Sequence, residues 1–222
     1  HQMQAAVHCI GDRAMDMVIE AAAKSPYRKD NKKGRHGIVH CQITNPRILQ
    51  GMKDQDLLAY IQPVFIDLDM NTVEPAIGAH RMDKVYAWKS MLDMGIHTSG
   101  GSDAPVVSFD AMENIYFAVT RKNISGQPQE GWIPSEKMSV DEAVKLFTKN
   151  AAYASYTEDE NGTIEVGKNA DFVVLEKNIY EIDPDEIKAT KVDMTVLGGE
   201  IVYEREVEEE RQYKKKKVRG RV

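Results

Sequence analysis

Apolar and polar residues alternate along the first two thirds of the chain in short bursts of two kinds. Brief apolar runs end in polar or turn residues, and longer stretches repeat apolar positions every three or four residues. The runs predict strands at Gln4–Ile10, Gly37–Gln42, Leu58–Val64 and Gly95–Ser99. The stretches predict helices at Arg13–Lys24, Pro46–Asp54, Val85–Met94 and Ala111–Thr120, the first carrying Ala14, Met17, Val18 and Ala21 on one face. A further helix is announced by Ser139 and Asp141, where "SVDEAVKLFTKNAAYA" places Ala143, Val144 and Phe147 together. Strand followed by helix, repeated, is the signature of βα units around a parallel sheet.

The pattern changes after Tyr156. "GTIEVGKNADFVVLEKN" and "VDMTVLGGEIVYER" read as short strands separated by Gly-Lys and Gly-Gly turns, with Phe172, Val173, Val174 and Leu175 as one apolar run. The organisation expected is an α/β unit over 1–156, a small β module over 157–204, and a solvated, disordered tail over 205–222, where an acidic block meets a basic one. No internal repeat is evident.

Composition narrows the function classes. The 222 residues are 42% hydrophobic and 29% charged, enough for one large domain or one domain with a small companion. A net charge of -6 provides no basic field, so no nucleic-acid partner is expected. No apolar run is long enough to span a bilayer, so no membrane partner is expected. Two cysteines build no disulfide framework, and the plain expectation is a cytoplasmic protein. The chain opens on His1 directly before a strand, which reads as a cut and implies that upstream sequence belongs to the same functional unit.

Three candidate residues fall at the C-terminal ends of predicted strands, the edge where parallel α/β folds place their chemistry. They are His8 in "AAVH", His40 in "GIVH" and Asp103 in "HTSGGSDAPV". Imidazole and carboxylate suit zinc or a similar divalent ion. Each has a plainer reading, the histidines as hydrogen-bonded structural residues and Asp103 as a turn or helix cap. Three ligand-type groups on one sheet edge favour the metal reading.

Cys9 and Cys41 follow the two histidines, so a His/Cys structural zinc site is the competing assembly. Strand alternation argues against it: with His8 and His40 inward, the cysteines face the helices as small apolar fillers. Gly100 and Gly101 imply close backbone approach, Gly11 a sharp turn off the strand, and Asp12 a cap for the next helix. His36, His80 and His97 are weaker candidates. Arg81 is either a carboxylate or phosphate clamp or one half of a surface ion pair. Ser102 lacks a nucleophile elbow and a base, and neither a phosphate loop nor a dinucleotide fingerprint is present.

These motifs resemble a known family. "VHCIGDRAMD", "GIVHCQ" and "GIHTSGGSDAPV" are similar to segments of amidohydrolase family 3, and "NGTIEVGKNADFVVLEKN" and "TVLGGEIVYE" to its closing β-sandwich segments. The resemblance implies the C-terminal half of a metal-dependent (β/α)8 TIM barrel, strands five to eight, with part of a small β-sandwich. It implies His8 and His40 as metal ligands on strands five and six. Asp103 becomes the strand-eight ligand and proton-transfer residue, and Arg81 a substrate-binding residue. The implied cofactor is a divalent metal, zinc before others.

The implied activity is hydrolysis of carbon–nitrogen bonds other than peptide bonds in small amides, cyclic amides or N-acylated molecules. The family's strand-one His-x-His is absent from this chain, and Val39 stands where the family usually has Glu. The chain alone is therefore expected to hold an incomplete metal site and to be inactive. Its partners are then the missing N-terminal half or further copies of itself, since a half-barrel leaves two sheet edges open. The competing class is a non-catalytic, barrel-derived binding or assembly protein.

Overall fold

Four short strands, β1 (Ala6–Cys9), β2 (Gly37–His40), β3 (Leu58–Ile61) and β4 (Thr98–Gly100), pair in parallel in the order in which they occur along the chain. The computed structural model to which they belong describes residues 3–26 and 34–206. Each strand is shorter than its apolar run, because the chain leaves the ladder as soon as the edge loops begin. The helix α1 (Asp12–Lys24) follows β1, and α2 (Pro46–Asp54) follows β2.

Local chemistry explains the sharp helix starts. Asn45 accepts from the Ile48 amide at 3.0 Å with Pro46 at the first helical position, which fits α2 to its predicted bounds. The start of α1 differs from the expectation. Gly11 stands at the N-cap with φ −87°, a value open to any residue, and Asp12 lies inside the helix, where its carboxylate accepts the Arg13 amide at 2.8 Å. Its other carboxylate oxygen pairs with Arg81.

Between β3 and β4 the chain forms three helical pieces that alternation did not foretell: α3 (Phe65–Asp69), α4 (Val73–Ile77) and a 3-10 turn over Ala79–Lys84. The pieces are only five or six residues long, too short to show a helical period. Helix α5 (Trp88–Asp93) then leads into β4, and Val85 to Ala87 of the predicted helix are buried non-helical chain.

Helix α6 (Ala111–Thr120) is capped by the Asp110 carboxylate, which accepts from the Met112 amide at 2.8 Å. It is buried on nearly all sides, which accounts for a sequence apolar all round. Its outer side is covered by the 3-10 turn Pro184–Ala189, whose Ile187 is fully buried. The predicted helix after Ser139 splits into α7 (Val140–Phe147) and α8 (Lys149–Ala154) at Thr148, whose backbone leaves the helical region at φ −124°, ψ −98°. Ser139 and Glu142 close a reciprocal capping box at the start of α7.

Strands β5 (Phe172–Leu175), β6 (Val192–Leu197) and β7 (Glu200–Glu204) form a separate antiparallel sheet. Gly198 and Gly199 both have positive φ, as the tight hairpin between β6 and β7 requires. Many of its apolar side chains face solvent, including Val173, Ile201 and Val202. Of the expected tail, Arg205 is paired with Asp193 and Glu176, and residues 207–222 lie outside those described. Among the described residues no helix is long and apolar enough to cross a membrane.

The main core lies between the parallel sheet and its helices, with Cys9, Ile38, Met15, Ile48, Met52 and Met91 almost wholly buried. The other end of the alternation, His8 and Val7 on β1, remains exposed because no strand pairs with the outer edge of β1 among the described residues.

Candidate functional site

His40 and Cys41 carry φ values of +79° and +52°, a conformation that side-chain-bearing residues rarely adopt. The consequence is visible in the sheet register. His40 is level with Cys9, and Cys9 points into the helix-packed core, so strict alternation would send the His40 ring the same way. The left-handed turn at the strand end breaks the alternation instead. The ring swings to meet His8, edge to face, with centroids 4.5 Å apart.

Two buried groups hold this geometry. The Trp88 indole N–H donates to the carbonyls of His40 at 3.3 Å and Cys41 at 3.2 Å, so the unusual backbone is fixed from behind. Gln62 donates its amide N–H to the Tyr60 carbonyl at 3.1 Å, which turns its oxygen toward His40 Nδ1 at 2.8 Å. That oxygen only accepts, so Nδ1 carries the proton and Nε2 keeps a free lone pair. Burial lowers the His40 pKa from its ordinary value; the Gln62 hydrogen bond opposes the shift and neighbouring His8 adds to it. The ring is therefore neutral at pH 7, the form that ligates metals.

His8 and His40 open onto a cavity of about 540 Å³ at the C-terminal edge of the parallel sheet, and Asp103 lines the same cavity. The walls are mainly apolar, including Ile10, Ile43, Phe65 and Val73, and the polar groups among them are Gln42, Asp69, Thr72 and Tyr86. Tyr86 donates its hydroxyl to the Asp69 carboxylate. Burial and that carboxylate push the Tyr86 pKa far upward, so the phenol stays protonated.

The predicted ligands are thus brought to one cavity, the two histidines in ring contact. Asp103 is exposed at the mouth with φ +63° and accepts the Val106 amide on its backbone carbonyl at 2.9 Å. Among the described residues no three His, Cys, Asp or Glu side chains gather closely enough to hold a metal ion. The donor set fits a divalent ion in kind, two imidazoles with one held neutral, and falls short of a closed site in number.

Arg81 is not among the residues lining the cavity. Its guanidinium pairs with Asp12 at 2.5 Å and ties the 3-10 turn to the start of α1. The cysteines lie in the core: Cys41 is fully buried and donates to the Ile38 carbonyl at 3.3 Å, and burial raises both thiol pKa values. Gly100 makes room for the Phe147 ring, which an added Cβ would meet at 2.7 Å, whereas Gly101 faces open space. The close approach expected of these glycines is therefore a packing contact, and only at the first.

His36 accepts the Ala5 amide at 2.9 Å, His97 binds the Asn150 carbonyl at 2.9 Å, and His80 is exposed. Gln62, Asp69, Tyr86 and Trp88 were missed by sequence reasoning. Gln62 directly follows β3 on the edge that carries His40, a position that could have flagged it. The other three lie on segments whose helical pieces or burial left no periodic signal.

The chain matches a model of the amidohydrolase family over residues 1–203. It is similar to the putative amidohydrolase YtcJ of Bacillus subtilis, 36% identical over 91% of this chain and 38% of that protein. It is also similar to the N-substituted formamide deformylase of Arthrobacter pascens, 30% identical over 90% of this chain and 36% of that one. An uncharacterised metal-dependent hydrolase from Pyrococcus horikoshii shares the fold at a TM-score of 0.69 and 21% identity, covering 81% of this chain and 35% of its own. The chain thus spans under two fifths of the length of each of these proteins. Ordered motifs, a parallel sheet with a histidine pair at its C-terminal edge, and a match across nine tenths of the chain lead to one conclusion: the chain belongs to the amidohydrolase family.

Proposed function

We propose that this chain supplies the C-terminal half of a (β/α)8-barrel hydrolase with part of its β-sandwich. The proposed reaction is cleavage of a carbon–nitrogen bond other than a peptide bond in a small amide, cyclic amide or N-acylated molecule. The observation that carries this reading is the His8–His40 pair, turned together by the left-handed strand end, at the mouth of an apolar cavity that also holds Asp103. The names of relatives, an amidohydrolase and a deformylase, support the bond class.

His8 and the free nitrogen of His40 are the residues that would hold a divalent ion, with further ligands from outside the described residues; zinc suits this imidazole and carboxylate set. When bound, such an ion supplies Lewis-acid polarisation of a carbonyl. Asp103 accepts a proton from the attacking water and returns it to the leaving nitrogen. The apolar walls exclude competing water and pack the substrate body, and Gln62 keeps His40 in the tautomer that offers Nε2. Arg81 is retained as a substrate contact only through release of Asp12. The two free, buried thiols support a cytoplasmic setting.

Substitution Asp103→Asn in the full-length enzyme that carries this chain tests the reading. The expected result is a loss of turnover of about 10²–10⁴-fold with an unchanged fold by circular dichroism, the scale of a general acid–base group. Turnover within a few-fold of the parent would overturn it. The second reading, a non-catalytic binding or assembly protein, is favoured by the open β1 edge and by a ligand trio that does not close. It predicts no hydrolysis of any amide with or without added zinc.

A further inference from the structure

We propose that Asp69 is the specificity-determining residue of the cavity and selects ligands that present a cationic, hydrogen-bond-donating nitrogen beside an apolar body. The inference rests on reading this cavity as the substrate site, and it adds the chemical class of substrate to that reading.

The cavity of about 540 Å³ has the size of a small-molecule site. Its walls are largely hydrocarbon, from Ile10, Ile43, Phe65, Val73, Ile77 and Val106. Against them stand two carboxylates, Asp69 and Asp103, and no lysine or arginine is among the described residues lining the space. Arg81 lies outside the lining and is paired with Asp12. Asp103 belongs to the metal and proton-transfer set, so Asp69 is the one lining carboxylate outside it, and a carboxylate set in a hydrocarbon wall pairs best with a cationic donor.

Asp69 has the geometry of a recognition group. It lies at the end of α3, and both hydrogen bonds to its side chain among the described residues fall on one oxygen. Tyr86 donates its hydroxyl to Oδ2, and Gln42 donates its amide to the same atom at 3.4 Å. The Tyr86 ring is itself fully buried and its phenol protonated, so the carboxylate is anchored on that side. Oδ1 is left to accept, and a charge-assisted N–H donor is the partner that a carboxylate oxygen in apolar surroundings binds best. Asp103 is the carboxylate assigned to proton transfer, and Asp69 lines the same cavity with its Oδ2 held by Tyr86 and Gln42, so Asp69 is the carboxylate left for recognition.

The test uses the chain itself and three probes of similar shape at pH 7, 2-phenylethylammonium, 2-phenylethanol and 3-phenylpropanoate, titrated by NMR. The ammonium probe is expected to bind at least tenfold more tightly than the alcohol, with the carboxylate probe weakest. Asp69→Asn is expected to erase the gap between ammonium and alcohol while leaving alcohol affinity within about twofold. Should that variant fold poorly, shift mapping on the parent chain decides: amide shifts induced by the ammonium probe, and not by the alcohol, are expected at Phe65–Asp69 and Tyr86. The proposal is overturned by equal binding of the three probes, by a gap that survives Asp69→Asn, by a gap lost on Asp103→Asn instead, or by shifts that fall elsewhere. Absence of hydrolysis in the full-length enzyme would sink the catalytic reading and leave this probe ranking in place.

Discussion

Trp88 shows how one side chain can decide a site it does not line. Its single N–H serves two buried carbonyls, those of His40 and Cys41, at the two residues whose positive φ turns the His40 ring toward His8. Trp88→Phe keeps most of the buried ring and removes the donor. The expected cost is about 1–3 kcal/mol in urea unfolding, from leaving buried carbonyls unpaired. Because His40 is then free to follow the regular pleat, the metal site proposed for the full-length enzyme should lose zinc affinity, by about tenfold or more in competition with a chelator. Stability loss without any change in zinc affinity would show that Trp88 only packs.

His97 makes a different residue-scale prediction. Burial lowers its pKa from the ordinary 6.5, against the opposing hydrogen bond to the Asn150 carbonyl, and Arg35 adds to the lowering while Glu158 resists it. The unfolded chain therefore binds a proton at higher pH than the folded chain. Stability is fully present above about pH 6.5 and falls as pH drops through and below it, until the folded ring itself titrates. His40 shares the direction of shift and contributes to the same slope. His97→Gln keeps an N–H for Asn150, so urea midpoints measured between pH 7.5 and 5.5 should decline less steeply than in the parent. Equal slopes would remove His97 from the account.

At the scale of elements, the glycines separate packing from turn chemistry. A Cβ on Gly37 in β2 would meet the Leu58 carbonyl of β3 at 2.6 Å and the Tyr60 ring at 2.4 Å, so the two strands approach closely because that position has no side chain. Gly101, just past β4, has open space around it. Gly37→Ala is expected to destabilise by about 1–3 kcal/mol or more, as overpacking does, while Gly101→Ala stays within about 0.5 kcal/mol. Thermal or urea unfolding of the pair checks both, and similar values for the two would contradict the strand contact. Helix ends follow the same local logic: α2, α6 and α7 start where Asn45, Asp110 and Ser139 cap them, whereas α1 has Gly11 at its N-cap and Asp12 in its first turn, shared between the Arg13 amide and Arg81.

For the whole molecule, the parallel sheet ends at β1 among the described residues, with Val7 and Ile10 exposed, and the amidohydrolase and deformylase relatives are more than twice as long as the stretch they share with this chain. An edge strand with unpaired amides and apolar side chains templates further pairing. The exposed apolar side chains of β5 and β7 add a second such surface. The half-barrel reading proposed for this chain therefore predicts that it associates, with copies of itself or with a further part of the same protein. Sedimentation velocity over a tenfold concentration range should show species beyond the monomer, and a stable monomer throughout would refute the expectation.

The sequence by itself determined the βα rhythm, the helix starts set by capping residues, the Gly-Gly hairpin and the family motifs, because each is written within a few neighbouring residues. His8, His40 and Asp103 were legible as candidates for the same reason: each ends an apolar run. Only the tertiary structure decided that the His40 ring leaves the pleat to meet His8, since that depends on Trp88 and Gln62, which lie 48 and 22 residues away. It also decided that Arg81 serves Asp12, that Asp69 and Tyr86 face the cavity, and that the three candidates share a space without closing on one point. Periodicity assigns a residue to a face, whereas the direction of a ring and the partner of a charge are fixed by long-range contacts that no local pattern encodes.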